Sequence, residues 1–244
     1  MTRIQLMMKH LAAACVAMAM LSSVQSASAG LVVSNLSYPG QFTGGWDLGG
    51  VTNADGDTLF SVATSFTTGT GPGWTLDSIV LPLLGDGTPS SPGPDQAARF
   101  QLVADDGGAP DTANTVGFFT QFEVQDTVPN YAQYTISPFS SITLAASTTY
   151  WLVGDYFAPN MAYWRHTEDL RQDGLAGWTI GDVALAELNN SGTWQALEDF
   201  REIGLPTLFE VNATAVQATV PVPGTALLLI PGLLGMARWR RSAA

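Results

Sequence analysis

Arg99-Phe100-Gln101-Leu102-Val103-Ala104, followed at once by Asp105-Asp106-Gly107-Gly108, is the stretch that decides the fold class. The first six residues are a short, half-apolar run of the kind that forms a strand. The next four suit a tight reversal, because Gly accepts positive φ and Asp bonds its own backbone. The same arrangement recurs along the chain, as where Ala54-Asp55-Gly56-Asp57 precedes the run Leu59 to Phe66. Short apolar runs bounded by Gly, Pro, Asn and Asp, with hardly any sustained 3.6-residue period, predict an all-β domain. The predicted strands are Leu31 to Leu36, Leu59 to Phe66, Ser78 to Leu84, Arg99 to Ala104, Val116 to Val124, Ala132 to Ile136, Tyr150 to Phe157, Ala162 to Thr167 and Thr207 to Ala215. That number of strands over a body of this length suggests a two-sheet β-sandwich, jelly-roll-like. Val183 to Leu188 reads as one helical turn. Gly69 to Gly73 and Gly85 to Asp95 read as loops, the second long enough to cap one end of the sandwich.

The chain has 244 residues, with 9 Lys and Arg against 21 Asp and Glu, and a formal charge of −12. Five of the basic residues (Arg3, Lys9, Arg238, Arg240, Arg241) lie in the two ends, while every acidic residue lies between them. Residues 30–218 hold 21 acidic and 4 basic side chains, a charge of −17, with no Lys. Such a body is repelled by phosphate backbones and anionic headgroups, which excludes nucleic acid as a partner. A body of this size buries roughly 70% of its unfolded surface, enough for a core of its own.

Residues 1–29 have a basic start (Arg3, Lys9, His10), an apolar run from Leu11 to Leu21 and a small-residue close, Ser26-Ala27-Ser28-Ala29. This is the grammar of a secretory signal peptide for Sec translocation, with Ala27 and Ala29 at the positions that signal peptidase reads before Gly30. Its removal takes away Cys15, the sole cysteine, so no disulfide is expected in the mature protein. Residues 219–244 have three parts. Val220-Pro221-Val222-Pro223-Gly224-Thr225 ends the last strand, an apolar run from Ala226 to Ala237 favours a helix, and Arg238, Arg240 and Arg241 follow with Trp239 among them. From Thr225 to Ala237 such a transmembrane helix rises about 20 Å against a hydrocarbon core of ~30 Å, so arginine snorkelling and Trp239 at the interface would have to complete the span.

These three parts resemble the PEP-CTERM sorting signal of bacterial exported proteins, with Val222 in the place of the motif's Glu. The resemblance implies recognition by an exosortase-type membrane transpeptidase. That enzyme would cut near the proline motif and pass the body from a transient inner-membrane anchor to the cell surface, the extracellular matrix or exopolysaccharide. The body, residues 30–218, is similar to the extracellular choice-of-anchor domains, type R. The residues that carry this likeness are Thr64-Ser65-Phe66-Thr67, Gly73 to Leu84, Val103 to Pro110, Thr148 to Leu152 and Tyr163-Trp164. It implies a displayed β-domain and no catalytic residues.

Catalytic chemistry is thinly supplied. The mature chain has no Cys and a single His, His166, and no G-x-S-x-G elbow presents a serine. Strand alternation puts His166 on the face of Trp164, as a histidine held within the fold. One His and no Cys cannot make a tetrahedral zinc site. No cofactor is expected, with calcium as the one cation to consider. Asn53, Asp55 and Asp57 offer oxygens at i, i+2 and i+4, and Asp105, Asp106 and Asp111 form a second group, although Asx-turns are the favoured account of both. Of the six tryptophans in the body, Trp151 lies in an apolar strand and reads as core. Trp46, after Gly44-Gly45, and Trp194, after Asn189-Asn190-Ser191-Gly192, lie near loops and are the candidates for a glycan platform.

The expectation is therefore a non-enzymatic exported surface or matrix protein. A carbohydrate-binding, lectin-like module is the alternative, and a glycoside hydrolase a more distant one, since paired carboxylates are easy to find among 21.

Overall fold

Alternation along β6 (Ala97–Asp105) separates two faces: Ala98, Phe100 and Leu102 are buried, while Arg99 and Gln101 on the opposite face are half-exposed. This strand belongs to one of two antiparallel sheets in a computed structural model that describes residues 30–39, 45–48, 51–52, 58–71, 73–85, 97–124, 130–157, 162–188, 191–196 and 205–216. Among the described residues there are strands and no helix, so the described body is all-β. The signal peptide, the sorting signal, most of the loop 85–95, and Asn53, Asp55 and Asp57 lie outside the described residues.

The first sheet is built on β5 (Trp74–Gly85), the longest strand. One edge of β5 pairs with β16 (Glu210–Ala215) through Val80 and with β11 (Ala162–Arg165) from Leu83 onward. The other edge carries β9 (Ile142–Leu144) and β8 (Ala132–Ile136). Pro82 stands in the gap between the β16 and β11 registers and faces Gln133 of β8 on the other edge. Outward from β16 lie β1 (Gly30–Ser34) and β12 (Asp173–Gly174), and outward from β11 lies β2 (Gly45–Leu48).

The second sheet runs β15 (Trp194–Ala196), β14 (Leu185–Leu188), β4 (Thr58–Thr67), β10 (Thr149–Phe157), β6 and β7 (Pro110–Phe118), with β3 (Val51–Thr52) and β13 (Thr179–Ile180) also on β4. The β6–β7 hairpin turns where Asp105 to Gly108 predicted it. Asp106 N–H donates to Ala109 O at 2.8 Å, and Gly107 and Gly108 take φ of 65° and 96°.

One core joins the sheets. Leu76, Ile79, Leu81, Leu83, Trp164 and Val211 of the first pack with Val62, Phe66, Phe100, Leu102 and Leu152 of the second. Phe100 meets Trp164 edge-on at 5.4 Å between centroids, and Phe66 reaches Phe209 at 6.3 Å. A second, smaller cluster of Ala63, Val103, Trp151 and Val153 lies on the other face of the second sheet, with Leu185 and Trp194 packed against it.

Two expectations are corrected. Residues 183–188 form no helical turn, because Leu185 to Leu188 pair with β4 on one side and β15 on the other. The strand expected at Val116 to Val124 is β7, displaced toward the hairpin. Beyond Phe118 the chain makes only single bridges, Phe119 to Pro138 and Phe122 to Ala98.

Candidate functional site

In β6, β7 and β10, the residues on the face turned away from the common core build a groove. Antiparallel register places Gln101 opposite Phe118 and Asp155 opposite Arg99, so these four side chains share one face of the sheet. Arg99 Nε lies 3.3 Å from Asp155 Oδ1, and Thr115 Oγ1 donates to Gln101 Oε1 at 3.3 Å. The segment after β8 closes the far wall, where Phe139 N–H donates to Phe118 O at 2.9 Å and brings the two phenylalanines side by side. The two residues are 58% and 72% exposed, large values for phenylalanine. Gln121 and Ser140 complete an open groove of about 740 Å³.

Burial raises the Asp155 carboxyl above the ordinary carboxylate range, opposed by the charge and hydrogen bond of Arg99, with Glu187 adding to the rise. Asp155 is the sole carboxylate among the described residues lining the groove. Hydrolysis of a glycoside needs two. The hydroxyls of Thr115 and Ser140 have no histidine beside them, since His166 lies in the first sheet, buried against Trp46 with ring centroids 4.9 Å apart.

The residues singled out in the sequence are placed differently. Trp46 is 4% exposed, donates from Nε1 to Leu205 O at 2.9 Å and lies against His166 with the rings tilted by 41°, so as a buried residue of β2 it offers no platform to a sugar. Trp194 is half-buried against the Trp151 cluster, on the same face of the sheet as the groove but not among the described residues lining it. Trp151 is core, 5% exposed, as read. Asp105 accepts from Trp151 Nε1 at 2.7 Å and from Gly108 N, and Asp111 accepts from Ala113 N at 3.1 Å, the backbone-bonded arrangement of Asx-turns. Among the described residues no group of three or more acidic or histidine side chains gathers in a metal-binding cluster. Gly30 is the first residue of β1, while Ala27, Ala29, residues 220–225 and the arginines at 238, 240 and 241 lie outside the described residues.

Phe118 and Phe139 escaped the sequence reading. Phe118 sat inside an apolar pair with Phe119, and Phe139 beside Pro138, where nothing distinguishes an exposed ring from a core one. The pairing of Gln101 with Phe118 was the one available sign, and it needed the hairpin register. The chain matches no protein-family model and no curated protein sequence.

Proposed function

We propose that the chain is a non-enzymatic exported protein of the cell surface or extracellular matrix. Its two sheets are read as a β-sandwich of jelly-roll kind, delivered by a Sec signal peptide and sorted through residues 219–244 by an exosortase-type system. The supporting observation is the pairing of Gly30 with Ala213. β1 already includes Gly30, the residue expected to follow signal cleavage. It lies beside the last strand, so the body between the two address segments is closed by its own ends. The absence of Cys from residues 30–218 fits a body whose stability after export rests on a packed core rather than on disulfide bonds.

The experiment is N-terminal sequencing together with intact mass on the protein from envelope and extracellular fractions. A start at Gly30 and loss of the segment after about Pro223 are expected. Met1 at the start, or Ala244 still present in extracellular material, would refute the processing. Replacing Arg238, Arg240 and Arg241 with Ala should leave the tail uncut or misoriented, because these charges fix its cytoplasmic end.

A second reading, a carbohydrate-binding module, is favoured by the groove at Phe118 and Phe139. A glycoside hydrolase is the more distant reading: Asp155 is the one carboxylate among the described lining residues, with Glu187 near enough to act on its charge.

A further inference from the structure

We propose that the groove between Phe118 and Phe139 on the outer face of the second sheet binds an uncharged glycan chain, with the two rings as stacking surfaces and the side chains of Gln101, Gln121, Arg99 and Asp155 as its polar rim. This rests on the reading of the chain as a displayed module and names the ligand class for it.

A pyranose ring is amphipathic. Its axial C–H groups make an apolar face, and its hydroxyls form a rim of adjacent donors and acceptors. The groove has the complementary arrangement. Phe118 and Phe139 present exposed rings whose quadrupole attracts C–H groups. Amide, guanidinium and carboxylate groups, planar and carrying spaced acceptors or donors, suit neighbouring hydroxyls. The Arg99 and Asp155 side chains are held against each other yet remain 38% and 29% exposed, so they are preorganised and still within reach of a ligand.

Charge decides between occupants. Among the described lining residues Arg99 and Asp155 are the charged pair, so the groove is locally balanced inside a body of −17. A polyuronate, a phosphorylated polymer or an acidic peptide would be repelled on approach. A second copy would bring its own −17 against this face, which opposes self-association through the rings. The groove is also cut in the sheet opposite the one from which β16 leads to the tail, so a ligand there does not share the strand that bears the tether.

The test is isothermal titration of the purified full chain, in detergent, with cellohexaose, xylohexaose, mannohexaose and laminarihexaose, and with hexagalacturonate as the anionic counterpart. Saturable binding of at least one neutral hexasaccharide is expected, with hexagalacturonate weaker. Phe118→Ala and Phe139→Ala should each weaken it roughly ten-fold, and Phe139→Tyr should restore it. Both rings are exposed, so unchanged circular dichroism should accompany the loss. Arg99→Gln should weaken binding as well. The proposal is overturned if no neutral sugar binds at low-millimolar concentration, if hexagalacturonate binds best, or if both alanine variants bind as the wild type does. It is equally overturned if Phe118 and Phe139 instead support a concentration-dependent dimer. Binding is read on purified protein, independently of export. A chain that is processed as expected yet ignores all four neutral sugars would remove the groove and leave the export reading standing.

Discussion

The indole N–H of Trp151 donates to Asp105 Oδ1 at 2.7 Å, tying a buried ring on the outer face of the second sheet to the first residue of the β6–β7 turn. The same carboxylate accepts from Gly108 N at 3.2 Å, so one side chain serves a ring and a turn. Asp105→Ala removes both acceptors and leaves the indole donor of a 5%-exposed ring without its partner. The expected cost is about 1.5 to 3 kcal/mol by urea unfolding. Asp105→Asn, which keeps one oxygen, should cost less than half of that.

That commitment also bears on calcium. With oxygens of Asp105 and Asp111 engaged by their own turns, thermal midpoints in calcium and in magnesium at matched ionic strength are expected to coincide, both raised slightly by screening of the acidic body. A rise specific to calcium that Asp55→Asn with Asp57→Asn abolishes would assign an ion to the 53–57 segment and contradict the expectation.

Trp164 has no exposed surface, lies edge-on to Phe100 and donates from Nε1 to Leu208 O at 2.8 Å. Trp164→Ala opens a void at the junction of the two sheets and should cost about 3 to 5 kcal/mol. Trp164→Phe keeps most of the packing but strands a buried carbonyl, for about 1 to 3 kcal/mol. Equal losses for the two would show that the hydrogen bond, not the volume, dominates.

Two carboxylates should titrate in opposite directions. Asp169 is held down at about 2, chiefly by the Arg171 side chain, whose Nε lies 2.9 Å from Oδ1, and then by the Arg171 backbone N–H. A lowered folded value means that its contribution is present above the ordinary 3.8 and is lost as pH falls through about 2. Asp155 is raised, chiefly by burial, so it favours the fold below its ordinary value and ceases to do so as pH climbs through the raised one. Carboxyl carbon chemical shifts followed by NMR would check both. Arg171→Gln should return Asp169 to the ordinary range and leave Asp155 unmoved.

Much of the sheet framework was legible because period-two alternation and turn chemistry are local. The β6–β7 hairpin could be read from Asp105 to Gly108 alone, and β8 was bounded at Ala132 and Ile136. The failures came where tertiary pairing overrode local preference. Ala184 to Leu188 is rich in good helix formers, yet hydrogen bonds to β4 and β15 hold its last four residues extended. Trp46 looked like a loop residue because two glycines precede it. A Cβ on Gly45 would stand 2.9 Å from Trp164 O, so the glycine serves close strand approach in β2 rather than a bend. The groove was illegible for a related reason: whether a phenylalanine faces core or solvent depends on which strand lies opposite it, and Phe139 belongs to no strand at all.

The position of β16, clasped between β1 on one edge and β5 on the other, has a mechanical consequence. Traction applied to the carboxyl end of β16 against a load seated on the second sheet draws that strand along its own axis. Two rows of ladder bonds then resist together in shear, instead of yielding one at a time. Traction between the two chain ends is another matter: Gly30 and Ala213 stand side by side at the same margin of the sheet, so that pull peels β1 from β16 like a zip. Pulled from the carboxyl end of β16 against the second sheet, the domain is therefore held by its strong geometry, and pulled from end to end by its weak one.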